Sequence, residues 1–430
     1  ELGYLYEDFG FAWNLRAAAE WYRKGASIGF SDSMYRLGFL YERGKGVSRD
    51  RAVAMQWYDK AAQLGNLDAQ RRLGELYLNR DSGTWDMARG MAWLEKASQR
   101  GDNRAMFALA QYFDTDHGDG IDKKRAVQWY LRSAEHGHAE AMNLVGDVYY
   151  SGYALPADKS KSLYWYAKAA AAGNADAMFS LGFQYEMGEA TPVDNALALK
   201  WYGKAVDKAQ RDAMYRLGEM HFGGTGTPVD YDKALKLFAR CAAMASDACA
   251  NAAATMYELG RGTKQDFDEA IRLYSQAAHR GSPEALYWIG KLHTGYTGAK
   301  QDYKKALEFF KKSAELGYGD AGFAIGQMYE SGTGVPKDDQ QAFAWFRKAG
   351  DAGSAAGLNA VGYFYDTGLA VKLDHQIAFD WYMKAAEKGE AAAFANLGNL
   401  YETGAGVAVD MKKAFDNYKR AAELGSPSAM

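Results

Sequence analysis

Residues 30–65 read FSDSMYRLGFLYERGKGVSRDRAVAMQWYDKAAQLG, and this stretch decides the fold. Met34, Leu37, Gly38 and Tyr41 fall three or four residues apart, which lines them up as one stripe on a helix. Gly44 and Gly46 end that helix, because glycine adopts the left-handed conformation that closes a helix terminus. Asp50 opens a second helix, its side chain placed to take an orphan backbone N–H. Ala54, Trp57, Tyr58 and Ala61 make the stripe of this second helix, and Gly65 stops it. The stretch is a helical hairpin, helix A followed by helix B.

The hairpin recurs. Trp21, Trp57, Trp93, Trp129, Trp165 and Trp201 are each 36 residues apart, and the step continues through Leu237, Leu273, Phe309, Trp345 and Trp381 to Asn417. The glycine of helix A keeps the same period at Gly38, Gly74, Gly146, Gly182, Gly218, Gly290, Gly326, Gly362 and Gly398, with Ala110 and Ala254 in the gaps. Asp50, Asp86, Asp122, Asp158, Asp194, Asp230, Asp266, Asp302, Asp338, Asp374 and Asp410 share a third offset, where Asn14 stands in the first copy. A row of carboxylates suggests a metal array, but a fixed place at the start of every helix B is what an N-cap requires, at about 1 kcal/mol each. Small residues three before and five after the aromatic, Ala54 and Ala62 in this unit, let helices approach closely while the aromatic fills the gap between hairpins.

One hairpin cannot bury both its faces, so neighbours must stack. The expected fold is all-α: residues 1–430 form a single α/α solenoid of about twelve 36-residue hairpins. A partial first repeat covers 1–29, whole repeats run 30–65, 66–101, 102–137, 138–173, 174–209, 210–245, 246–281, 282–317, 318–353, 354–389 and 390–425, and 426–430 begin a further one. No polar capping repeat is evident at either end, so more chain is expected beyond this segment.

Composition excludes several functions. With 51 basic against 54 acidic residues, a net charge of −3, no basic field favours nucleic acid. No apolar run approaches the roughly 18 residues of a bilayer span, so this segment is not expected to insert in a membrane. The start, ELGYLYEDFG, lacks the basic and apolar regions of a signal peptide. The seven histidines, His117, His136, His138, His221, His279, His293 and His375, complete no metal-ligand spacing; His221 and His293 replace a helix-A tyrosine and read as packed aromatics. Loops such as GKGVSRD, GTGTPVD and GTGVPKD lack the G-K-[ST] of a phosphate loop, and no G-x-S-x-G occurs. No catalytic residue, metal or cofactor is expected.

The pattern A-x-x-x-L-G-x-x-Y-x-x-G-x-G-V-x-x-D, then A-x-x-W-Y-x-K-A-A-x-x-G, resembles the Sel-one-like repeat family, a branch of the tetratricopeptide-like helical repeats. Residues 393–425, AFANLGNLYETGAGVAVDMKKAFDNYKRAAELG, match it almost throughout, with Asn417 where the tryptophan belongs. The resemblance covers the whole chain and implies a right-handed superhelix that binds proteins and performs no chemistry. In such repeats helix A lines the concave surface, so positions three before, one after and four after the signature glycine should face a ligand. Those positions are aromatic and acidic. Their densest run is Tyr150, Phe179, Phe183, Tyr215 and Phe222, edged by Asp147, Glu186 and Glu219. These eight residues are expected to anchor a partner protein or peptide carrying apolar and basic side chains. The alternative is that the rings pack between neighbouring A helices, and Glu186 also belongs to the family's own Y-E motif.

The implied function is a non-catalytic interaction scaffold. Two alternatives stand beside it: an adaptor subunit of a membrane-associated or secretory-pathway quality-control complex, and, more weakly, a hydrolase. Residues 240–249, RCAAMASDAC, hold the only two cysteines. In the secreted, cysteine-rich bacterial branch of the family, cysteines with seven residues between them at this junction form bridges, and this stretch resembles them. The resemblance implies a Cys241–Cys249 disulfide and an extracytoplasmic site, periplasmic or secreted, with a secretory-pathway lumen or the cytoplasm as alternatives. Two buried thiols in alanine sites is the other reading. Relatives in that branch carry the pair in most repeats, whereas this chain has one.

Overall fold

The computed structural model describes residues 12–80, 83–116 and 120–426, with side chains from residue 15 on. Residues 1–11 and 427–430, read above as parts of terminal repeats, and His117 lie outside the described residues. Among the described residues there are 23 helices and no strand. Contacts group the chain into two compact units, Glu1–Ala213 and Met214–Met430. Within each unit, helices consecutive in sequence pack on one another, the pattern of a solenoid.

The quoted hairpin forms helix A at Ser31–Arg43 and helix B at Arg51–Gln63. Gly44 closes helix A in the left-handed region, at φ 66°. The Asp50 carboxylate accepts the Val53 N–H at 3.0 Å, and the Asp50 N–H donates to the Tyr41 carbonyl at 2.9 Å, so one residue both caps helix B and closes the loop. All eleven periodic aspartates cap a helix B in this way, each accepting the N–H three residues ahead. Asn14 does not join them: the first helix, Ala12–Ser27, begins before it and places it inside.

The periodic glycine has a steric cause. A β-carbon on Gly38 would stand 2.8 Å from the Tyr58 ring, one on Gly182 2.8 Å from Tyr202, and one on Gly362 2.6 Å from Tyr382. In these hairpins the helix-B ring therefore lies directly on the backbone of its own helix A, and Leu94 takes its place against Gly74. This plug is the residue after the tryptophan, where the spacing pointed to the tryptophan itself. Tyr58, Tyr202, Tyr274 and Tyr382 are fully buried, whereas Trp21 is 38% exposed and Trp57, Trp93, Trp201, Trp345 and Trp381 are half-buried. These indoles lie at the surface with a cation over the ring, whereas Trp165 is buried: Lys60 lies 4.5 Å from the Trp57 ring, Lys204 4.2 Å from Trp201 and Lys348 4.3 Å from Trp345.

Cys241, late in Tyr231–Ala242, and Cys249, early in Asp247–Leu259, are joined in a disulfide with Cα atoms 5.7 Å apart, and both are fully buried. The turn between them passes through Ala245, held at φ 61° where most repeats place glycine. No helix among the described residues is long and apolar enough to cross a membrane.

Candidate functional site

A buried tyrosine must satisfy its hydroxyl, and in these hairpins it does so on helix A. Tyr58 donates to Glu42 at 2.7 Å, Tyr130 to Asp114 at 3.2 Å, Tyr202 to Glu186 at 2.7 Å, Tyr274 to Glu258 at 3.2 Å, Tyr382 to Asp366 at 3.4 Å and Tyr418 to Glu402 at 2.8 Å. The acceptor stands four residues after the signature glycine or its alanine substitute. Glu186, expected to edge a partner site, thus serves its own hairpin's core as well. In the hairpin of Ala139–Ser151 and Lys159–Ala171 that position is Tyr150, and the Tyr166 hydroxyl turns instead to Asp147, at 2.6 Å.

That exchange opens a cleft of about 260 Å³ in the first unit, lined by Asp147, Tyr150, Tyr166, Phe179, Ser180 and Phe183. Its walls are helix A of one hairpin and helix A of the next, Ala175–Met187, which touch each other. Four of the eight residues picked out by sequence line it: Asp147, Tyr150, Phe179 and Phe183. Burial pushes the Asp147 carboxyl above its ordinary range, the Tyr166 hydroxyl opposes this, and the nearby Asp176 charge adds to it. Tyr150 is held at the rim: its hydroxyl donates to Glu189 at 3.1 Å, while Lys159 lies over its ring and pairs with Glu189 at 3.3 Å.

Tyr215, Glu219 and Phe222 sit in the second unit. Tyr215 packs on Phe238 with ring centroids 5.8 Å apart, and its hydroxyl is pushed up to about 12 by burial and then by Glu219. Glu219 pairs with Arg216 at 3.0 Å. Phe222 meets Tyr231 at 5.4 Å and carries the Arg261 guanidinium at 5.1 Å. The ring three before the glycine therefore packs within its own hairpin, as Tyr35 on Tyr58, Phe179 on Tyr202 and Tyr215 on Phe238 show, and remains half-buried.

Sequence reading missed Tyr166 and Ser180. The signal for Tyr166 was available: it is the aromatic after each tryptophan, and its missing acceptor could be read from Tyr150 standing where other repeats carry an acid. Two of the histidines make structural contacts. His138 caps a helix and stacks on Phe107 at 4.5 Å, and His293 stacks on Phe309 at 5.8 Å. Among the described residues no three His, Cys, Asp or Glu side chains come together as a metal site.

The Sel1 repeat family model matches twelve consecutive segments, from 1–30 and 31–66 through 355–390 and 391–426. A protective antigen of uropathogenic Escherichia coli with an SLR fold is 28% identical, covers 96% of this chain and 88% of its own, and superposes with a TM-score of 0.72. A Sel1 repeat protein from Oxalobacter formigenes is 29% identical over 72% of this chain and 90% of its own, with a TM-score of 0.57. No curated protein matches.

Proposed function

The chain belongs to the Sel1 repeat family, whose members are generally protein-interaction scaffolds, and from that premise we propose that it is a non-catalytic scaffold binding a partner protein or peptide along its helix-A face. One observation carries the reading: the cleft walled by Phe179, Phe183 and Tyr150 and floored by Asp147 lies between successive A helices, on the face where an extended segment can run from repeat to repeat. The Tyr215, Glu219 and Phe222 group offers the same chemistry on the A helix of its own hairpin. The partner segment carries apolar side chains for the rings and basic ones for the acids.

We place the protein outside the cytoplasm, periplasmic or secreted. The buried Cys241–Cys249 disulfide supports this, since such bridges persist in oxidising compartments, and so does the likeness to a protective antigen. The test is retention of partners by an immobilised chain. Phe179, Phe183 and Tyr215 changed together to alanine should release proteins that the unchanged chain retains, with helicity intact. Equal retention by both would defeat the reading.

A further inference from the structure

The tyrosine-bound carboxylates differ in one respect. Glu42 accepts Tyr58 and is also gripped by Arg72, which reaches back from the following hairpin. Asp114 accepts Tyr153 at 2.7 Å as well as Tyr130, Glu258 accepts Tyr296 as well as Tyr274, and Asp366 meets His375 at 2.7 Å as well as Tyr382. Each of these four thus gains a second strong donor from a later stretch of chain. Asp147 has the Tyr166 hydroxyl and only the Asn143 amide of its own helix, at 3.3 Å. No Lys or Arg among the described residues pairs with it, whereas Glu75 is held by Arg71 and Arg72, and Glu219 by Arg216.

A guanidinium two residues before the signature glycine occurs only at Arg36, Arg72 and Arg216. Arg72 stands two residues before its signature glycine; the same position in the hairpin after Asp147 is Ser180, too short to reach across. Ser180 lines the cleft together with Asp147 and Tyr166, and the rings of Phe179 and Phe183 flank it. Asn143 Oδ1, beside Asp147 on the same helix, is buried with no hydrogen-bond donor.

We propose that this cleft receives an arginine side chain of the partner segment, which supplies in trans the guanidinium that Arg72 supplies to Glu42 in cis. The proposal rests on the helix-A face being the binding face. Three observations select arginine. A half-buried carboxylate without a cation attracts one. A planar guanidinium stacks on aromatic faces and donates through several N–H groups, which suits the ring walls together with the Asp147 carboxylate better than a single ammonium does. At about 260 Å³ the cleft falls below the roughly 300–1,000 Å³ of drug-sized ligand pockets and fits one side chain.

The probe is N-acetyl-arginine amide, titrated into the full chain by ligand-observed NMR beside its neutral isostere N-acetyl-citrulline amide. Arginine should bind saturably and citrulline at least tenfold more weakly. D147N keeps an oxygen for Tyr166 and should fold, yet lose at least tenfold in arginine affinity. S180R places the guanidinium in cis and should abolish binding while raising the melting temperature. Equal binding of the two probes, or unchanged arginine affinity in D147N, overturns the proposal. A partner that photo-cross-links to position 183 equally well in D147N and in the unchanged chain removes the arginine anchor and leaves the helix-A face standing. Failure of that cross-link in both chains removes the face itself.

Discussion

At the residue scale, a buried tyrosine hydroxyl decides what the carboxylates of helix A do. Around Glu42 burial alone would push the carboxyl up, but the Arg72 guanidinium and the Tyr58 hydroxyl outweigh it and hold the group below its ordinary 4.5. An acid whose folded pKa is depressed contributes stability above its unfolded pKa and loses it as pH falls through the folded value. The melting-temperature advantage of the unchanged chain over E42Q should therefore be full at pH 6 and shrink steadily below about pH 4.5. A constant difference across that range would mean that Glu42 contributes by packing alone. Asp147 has the opposite sign: its raised pKa makes the charge a cost that sets in as pH rises through the folded value, so D147N should be at least as stable as the unchanged chain at pH 7.

Backbone strain is equally local. Ala209 sits at φ 60° where most repeats have glycine at the end of helix B. The left-handed conformation costs alanine about 1–2 kcal/mol, of which glycine's extra freedom in the unfolded chain gives back about 0.4–1. Ala209→Gly should then stabilise the protein by roughly 0.5–1 kcal/mol in urea denaturation, and a loss would show that the turn tolerates the β-carbon without strain.

At the scale of the element, the hairpin was legible because each of its rules leaves a mark at a fixed offset. The capping aspartates, the stop glycines and both helices could be read from residues 30–65, and the aspartate recurs in ten further copies along the chain. The burial ranking of the W-Y pair was not legible, since both residues are large and aromatic and both are periodic. Only the β-carbon positions show that the tyrosine lies on the glycine while the tryptophan shares its outer face with a lysine. Gly182→Ala tests that packing. The added carbon meets the fully buried Tyr202 ring, so the variant should lose about 1–3 kcal/mol despite alanine's better helix propensity. No loss would mean that the ring shifts freely, as hairpins with Ala110 and Ala254 already accommodate one.

The disulfide belongs to this scale too. It ties the end of one helix B to the start of the next helix A, at the turn where alanine replaces the stop glycine. By chain-entropy arguments a ring this small is worth roughly 2–3 kcal/mol, so replacing both cysteines with alanine should lower stability by about that amount. Protein denatured without reductant should show no free thiol. Two free thiols would remove the support for an oxidising compartment.

For the whole molecule, sequence alone identified the repeat and four of the six residues lining the cleft. Asp147, Tyr150, Phe179 and Phe183 were reachable by counting from the glycine, because helical periodicity puts those offsets on one face. Tyr166 could be found only by comparing Tyr150 with the acids that other repeats carry there, and Ser180 not at all, because it joins the site through a contact between helices that no single periodicity encodes. The identity of the partner lies at a further remove, in the complementarity of a surface to another chain.

The most direct measurement is site-specific photo-cross-linking from the two faces of one stretch of the solenoid. A photoreactive phenylalanine at position 183 lies on helix A in the cleft, and one at position 164 replaces Tyr164, 53% exposed on helix B. The helix-A account predicts a discrete partner adduct from position 183 and none from position 164. An adduct from 164 with none from 183 would contradict it.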